Sequence, residues 1–574
     1  MDQRIYPSAE EHLQASLKKD SLFVPACVEL AALYYRNMRY DESLSLLKRA
    51  LSIDTYDGAA NYYYGLVNEE LGHVADAKDG YDIASLSAEY RSPAYTRLAV
   101  GSVKERDWNK AIQYADKALA YNRLNVAALQ AKAIACRNNG DQSEADRVLD
   151  SLLQLDPMQH FALFERYLWQ NTDEKKNAFV SAIKNEMPQE TYLELAINYF
   201  KAGCFSESEK VLQLAPQHTM ISYWQAYLAY LQGKEYASLL RKAEQSSPAF
   251  VFPFRSETAT VLKWASENSA DWKAKYYLVL IYKDRNRIEE SKAMLKDLGD
   301  KPDYVPFYIA RAQIFGEENK AQYQEDLERA MKLDKNQWRN ARLMIQYLLD
   351  QNRNQEALAL AKNWYNKNKA NYIMGMLYAK TLLVNQKYKD ADQLLTGLQV
   401  IPFEGATEGR ALYREAKLME AISVMKLQHY SEALTYINEA RQWPENLGVG
   451  KPYEDQTDER LEDWLSYLCY SHQKDESNVQ SSYLEKIMQF TPKVDNTVPN
   501  FIMANDLVSA WAIEKLKGKQ EALAWLDQQL ALFPSNEILI WCRKVFEHQA
   551  AGNAPADGTV RVLKNIEQGT RNIE

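Results

Sequence analysis

The segment Trp443-Pro444-Glu445-Asn446-Leu447-Gly448-Val449-Gly450-Lys451-Pro452-Tyr453 invites comparison with phosphate-binding loops. Such loops need G-x-x-x-x-G-K-[ST], so that backbone amides surround the phosphates and a hydroxyl reaches the metal. Glu445 stands where the first glycine belongs and Pro452 where the hydroxyl belongs, so nucleotide chemistry is not expected. A Gly/Pro-containing insertion between helices is expected instead, and ordered connections of this length often carry binding residues.

The remaining chemistry-bearing residues assemble no catalytic pattern. Seven histidines (12, 73, 160, 218, 429, 472 and 548) show no H-x-x-x-H spacing, which removes the helical zinc pair. Cys27, Cys136, Cys204, Cys469 and Cys542 are odd in number and lack C-x-x-C, which excludes a disulfide framework and a cysteine zinc site. Neither metal nor cofactor is expected. Carboxylate pairs such as Glu69 with Glu70 and Glu289 with Glu290 read as solvated helix faces. The 38 Tyr and 12 Trp raise the idea of sugar stacking, but Tyr34, Tyr64, Tyr81, Tyr282 and Trp525 fall on packing positions.

Those positions belong to a repeat. Stepping by about 34 residues from Val24 reaches Gly58, Ser92 and Val126, a spacing expected of paired antiparallel helices. The eighth place reads Ala31, Gly65, Ala99 and Ala133; the twentieth Ser43, Ala77, Ala111 and Ala145; the twenty-seventh Ala50, Ala84, Ala118 and then Leu152. Small side chains recur because helix axes about 8–10 Å apart leave no room for larger ones. Beyond Pro157 the spacing loosens, and the expected pairings are Ala196 with Ser208, Ala226 with Ser238 and Tyr282 with Ser291. One period before Val24, Ala9, Leu13 and Ser16 fall on second-helix places, so the first helix of that repeat is expected in a longer parent chain.

Composition agrees with this reading. With 574 residues, 69 Lys plus Arg against 78 Asp plus Glu, a net charge of −9 and 46% hydrophobic residues, the chain is expected to be a soluble, packed protein. Nonspecific nucleic-acid binding and a membrane span are not expected. Cytoplasm is the default compartment, with the periplasm as alternative if a signal peptide has been removed.

The pattern resembles the tetratricopeptide repeat (TPR), which implies an all-α, right-handed α-solenoid, a superhelix of about thirteen antiparallel helix pairs. Residues 1–157 form a regular block beginning with a half repeat, 158–445 degenerate hairpins, 446–460 the insertion loop, and 461–574 C-terminal hairpins with capping helices. A closer likeness rests on Phe250-Val251-Phe252-Pro253-Phe254-Arg255, Trp264, Trp272-Lys273-Ala274, Leu327-Glu328-Arg329-Ala330, Gly409 to Ala416 and the Trp443–Tyr453 segment. Together these resemble the C-terminal TPR half of large bacterial proteins whose N-terminal half is a mutarotase-like β-sandwich of unknown function. The resemblance implies a noncatalytic scaffold for a protein or peptide segment, including the parent's own N-terminal domain, with a glycan as the alternative ligand and an α/α-barrel carbohydrate enzyme behind both.

In TPR arrays the first helix of each pair lines the ligand-binding face. Here that places Tyr35, Arg36, Tyr62, Glu69, Lys104, Gln130, Arg137 and Asn138 on it. Val28 and Ala32 stand where TPR clamps for chaperone tails carry Lys and Asn, so that clamp is absent from the first complete repeat. Outside the repeat, Arg255, Arg410, Arg414, Arg460 and Trp464 are further candidate ligand residues; the arginines are expected first to bind helix C-termini at irregular junctions.

Overall fold

The computed structural model describes residues 5–453, 457–472, 477–490, 502–548 and 557–570; residues 454–456 of the expected insertion loop lie outside them. Among the described residues there are 32 α-helices and no strand. Successive helices pair as antiparallel hairpins, beginning with Val24–Arg36 against Tyr40–Ile53 and Gly58–Leu71 against Val74–Ala84. No helix among the described residues is long and apolar enough to cross a membrane. The chain divides into two compact units, Met1–Asn319 and Lys320–Glu574.

In the first unit the small-residue frame is buried throughout. Ala31, Ala99, Ala50, Ala84, Ala111 and Ala118 have no solvent-exposed surface. Gly65 and Gly80 let the second hairpin close: a Cβ on Gly80 would lie 2.8 Å from the Asn61 carbonyl oxygen and 2.9 Å from the Gly65 nitrogen. Helix backbones cannot approach this closely over a methyl group. Where serine takes the twentieth place it also donates a hydrogen bond across the crossing, from Ser43 Oγ to the Ala31 carbonyl at 2.7 Å and from Ser208 Oγ to that of Ala196 at 2.8 Å.

The helices expected to pair through Ala226 with Ser238 and Tyr282 with Ser291 do form hairpins, but their serines bond differently from Ser43 and Ser208. Ser291 Oγ donates to the Arg287 carbonyl of its own helix start at 3.0 Å and lies 3.5 Å from the Val279 carbonyl, twelve residues back. Ser238 lies at the surface bonded to Glu235, because helix Ala237–Gln245 starts only one residue before it and its hydroxyl serves that helix end.

Turns within the regular hairpins repeat at the same period. Met38, Gly72, Arg106 and Gly140 all have positive φ, and each turn is closed by a backbone hydrogen bond such as Arg39 N to the Tyr34 carbonyl at 2.8 Å. Glycine reaches this conformation without penalty, whereas methionine and arginine do not. Asp57, Asp107, Asn125 and Asp141 cap the helices that follow, each accepting a backbone N–H three residues ahead.

Two apolar clusters lie among the described residues of the second unit. One is built around Leu382, Leu395, Leu398 and Ala416, and the other around Leu418, Ile437, Leu465, Leu507 and Val560. The Gly/Pro-containing connection docks onto the first. Asn446 donates from Nδ2 to the Leu395 and Leu398 carbonyls at 3.0 and 2.8 Å, which closes the end of helix Tyr388–Gly397. Gly409 lies in helix Glu408–Met425 where a Cβ would meet the Leu447 carbonyl oxygen at 2.8 Å, so the connection sits directly on that helix.

Candidate functional site

First helices of consecutive hairpins in the Met1–Asn319 unit line a cavity of about 460 Å³. Helix Gly58–Leu71 contributes Tyr62, Arg91–Lys104 contributes Thr96 and Arg97, Val126–Asn139 contributes Gln130 and Ile134, and Pro188–Lys201 contributes Asn198 and Lys201. These helices present apolar and polar side chains alternately, because each repeat contributes only a short stretch of its outward-facing surface. Asn125 holds one wall, donating from Nδ2 to Ser92 Oγ and Thr96 Oγ1, both at 2.9 Å. Lys201 pairs with Glu257; burial alone would raise the Glu257 carboxyl, but the charge and hydrogen bond of Lys201 bring it below the usual range.

The unit returns on itself. Arg285 donates from Nη1 to the Arg36 carbonyl and Arg287 from Nη1 to the Met38 carbonyl, both at 3.4 Å and both across 249 residues. The turn after helix Val24–Arg36 is thereby tied to the turn after helix Trp272–Asp284.

Of the residues expected on the binding face, Tyr62 and Gln130 line the cavity. Tyr35 lies beside it in a ring cluster, with centroids 5.8 Å from Tyr40 and 6.4 Å from Tyr63, and burial pushes its phenol well up. Glu69 accepts a hydrogen bond from Tyr81 Oη at 2.7 Å and lies 3.9 Å from Arg97 Nη1. The side chain of Arg36 is exposed, as are those of Lys104 and Asn138, and Asn138 bonds back to the Ile134 carbonyl at 2.8 Å. The stem of Lys104 is packed by Gly203, whose φ of 72° and missing Cβ allow the approach. Arg137 is committed to neighbouring acids: its Nε donates to Glu165 at 2.7 Å and its Nη2 to Glu207 at 2.9 Å, while Tyr199 Oη donates to Glu165 at 2.7 Å.

The arginines outside the repeat were expected at helix C-termini, and the structure corrects this. Arg255 binds Glu190, in the first turn of helix Pro188–Lys201. Arg414 forks onto Glu462 at 2.5 and 2.6 Å, in the first turn of helix Arg460–His472, and reaches Thr559 Oγ1 at 3.2 Å. Arg460 binds Asp458 at 2.8 and 2.9 Å and Asp506 at 2.7 Å. Acids are favoured at helix N-termini by the backbone dipole, so buried guanidinium groups find their counter-charges there. Trp464 is a core residue, 5.2 Å from Tyr467 and 5.5 Å from Trp511 by ring centroid.

Arg410 differs from its neighbours. It is only 8% exposed, stacks with its guanidinium carbon 5.0 Å from the Trp443 ring centre, and has no hydrogen-bond acceptor on Nε or Nη1 among the described residues. Burial, reinforced by the charge of Arg414, pushes it down to about 10, so it remains a cation at neutral pH. Sequence reasoning named Arg410 but could not separate it from Arg414, one helical turn away. Sequence reasoning also passed over Arg97, Asn125, Asn198 and Lys201; their positions on first helices, or at the turn entering one, were the available signal.

No protein-family model matches the chain. Among solved structures it is similar to a tetratricopeptide repeat protein from Parabacteroides merdae, at 17% identity over 49% of this chain and 93% of that one, with a TM-score of 0.30. It is also similar to Naa15/Naa10 bound to HypK-THB, at 15% identity over 99% and 94% of the two chains with a TM-score of 0.26, and to yeast Tom70, at 16% over 90% and 98% with a TM-score of 0.24. The fold rests on the helix pairing described above: the chain is an all-α solenoid of tetratricopeptide-like hairpins.

Proposed function

We propose that the chain is a noncatalytic interaction scaffold whose Met1–Asn319 unit holds a protein or peptide segment along its first-helix face. The observation that carries this reading is the cavity lined by successive first helices. Val100, Val103 and Ile134 offer apolar contact there, while Gln130 and Asn198 offer donors and acceptors to a peptide backbone. By the resemblance of the sequence, the partner proposed first is a carbohydrate-related β-sandwich domain of a longer parent chain. Glycan binding is placed second, because Tyr35, Tyr62 and Tyr95 pack against other rings of the same unit.

The test is titration of the chain with the recombinant β-sandwich domain, followed by crosslinking. Binding at micromolar concentration, weakened at least about tenfold by Gln130→Arg with unchanged melting, supports the reading. No binding at about 100 µM counts against that partner, and binding indifferent to Gln130→Arg counts against this face. Calorimetric titration with a panel of glycans separates the second reading, and uniformly flat traces end it.

A further inference from the structure

Another cavity, of about 800 Å³, lies within the Lys320–Glu574 unit and shares no lining residue with the first. Its wall is made largely of helix beginnings. Thr407, Glu408 and Arg410 open helix Glu408–Met425; Asp458 and Glu459 precede Arg460–His472; Met503 and Ala504 precede Asp506–Lys517. Ile538 is the second residue of Glu537–Phe546, and Gly558 and Thr559 begin Gly558–Thr570. Each helix start carries the positive end of a backbone dipole, so five of them around one space make it favourable to negative charge.

Helix ends alone would not make a site; the fixed charges decide. Glu415 is forked by Arg561 at 2.7 Å, Asp458 shares Arg460 with Asp506 and Glu459 shares Arg441 with Asp463, so each of these acids on the wall is bonded to a cation. Arg414 is likewise taken by Glu462, and Asp557 caps Val560 N at 3.0 Å. Glu408 is exposed to solvent, and Lys380 stands at the wall. Arg410 remains, a buried cation on the wall with no counter-charge bonded to it among the described residues. A buried guanidinium without an acceptor is costly, and the cost is removed when an oxyanion takes its donors.

We propose that this cavity binds an organic carboxylate, whose oxygens accept hydrogen bonds from the Arg410 guanidinium while its body rests on the apolar wall. The planar guanidinium of Arg410 suits the flat, two-oxygen head of a carboxylate. Leu412, Ile502, Met503, Ile538 and Val562 supply apolar surface, and the Trp443 ring lies against the guanidinium, 5.0 Å from centroid to carbon. The volume lies in the range that accommodates small-molecule ligands.

The experiment uses the full chain and compares sodium benzoate, inorganic phosphate and sodium chloride at equal ionic strength, by thermal melting and calorimetry. Saturating benzoate is expected to raise the melting temperature by about 5 °C over chloride. Arg410→Met is expected to abolish that rise, and to melt no lower than wild type in chloride because the uncompensated charge is gone. Arg410→Lys, which keeps the charge without the planar fork, is expected to weaken benzoate binding at least about tenfold and serves if the methionine variant does not fold. An equal response to benzoate and chloride in the wild type overturns the proposal, as does an undiminished benzoate response in Arg410→Met. A rise with phosphate and none with benzoate overturns the carboxylate assignment.

Discussion

In the regular hairpins of the Met1–Asn319 unit, Lys132 meets Asp116 and Glu144 at 2.7 and 2.6 Å on the helices either side of its own, and Arg137, near the end of that block, meets Glu165 and Glu207 from the hairpins beyond it. The Lys320–Glu574 unit contains Arg414–Glu462 and the Asp458–Arg460–Asp506 group, more deeply buried, beside Arg410, whose Nε and Nη1 have no acceptor among the described residues. Regularity accounts for the difference. A strict period sets every helix in the same relation to its neighbours, so a charge such as Lys132 finds its partners on the adjacent second helices Trp108–Tyr121 and Gln142–Leu155. Where a long connection interrupts the period, several helix beginnings converge on one space, and buried guanidinium groups there are balanced by the acids of those beginnings.

The largest expected effect tests the buried pair. Arg414→Ala leaves Glu462 buried without a partner and is expected to cost about 3–5 kcal/mol, whereas Arg137→Ala, whose side chain retains 14% exposure, is expected to cost less. Denaturant unfolding of both variants checks the order; equal losses would break the contrast between the units. Partner binding by Arg414→Ala should change less than its stability does.

Acid should act on the same pair. Burial by itself would raise Glu462, but the charge and hydrogen bond of Arg414, with Arg410 and Arg441 nearby, hold its carboxyl below the usual range; Asp458 is likewise low, because its hydrogen bond with Arg460 and that residue's charge outweigh burial. A carboxyl lower in the folded than in the unfolded chain stabilises above its unfolded value, about 4.3 for Glu and 3.9 for Asp, and loses that contribution as pH falls through the folded value. Burial raises Asp506 instead, so its contribution improves as pH falls through its folded value toward about 3.9. The stability gap between wild type and Glu462→Gln should therefore close as pH drops below about 4. Melting curves between pH 3 and 7 check this, and a constant gap would contradict it.

Packing in the first unit gives the next effect. Gly80→Ala places a methyl group against the Asn61 carbonyl and the Gly65 nitrogen, and is expected to cost about 1–3 kcal/mol by forcing the second hairpin apart. The smallest change sharpens the turn argument: Arg106→Gly, at a φ of 61°, is expected to stabilise by about 0.5–1 kcal/mol because glycine enters the left-handed region freely. Melting temperatures at fixed pH distinguish the two signs.

The small residues at the eighth, twentieth and twenty-seventh places made the hairpins of the first unit readable before any coordinates, since a helix crossing constrains side-chain size directly. The turn at Met38 and Arg106 was not readable, because only two of its four occurrences carry the glycine that signals it. The binding face was partly legible. Tyr62 and Gln130 follow from the repeat frame, but Lys201 reaches the same cavity from a later hairpin, and only the closing of the unit, marked by Arg285 on Arg36, brings such distant helices together.

Sequence by itself determined the all-α architecture and its period, because helix pairing depends on spacing and side-chain volume within about 34 residues. Tertiary structure alone decided which charges are satisfied. Arg410 and Arg414 are one helical turn apart on the same helix, yet Glu462, 48 residues onward, meets one and not the other. Local pattern cannot encode that choice, since the electrostatic fate of a buried guanidinium is set by whichever helix beginnings the fold gathers around it.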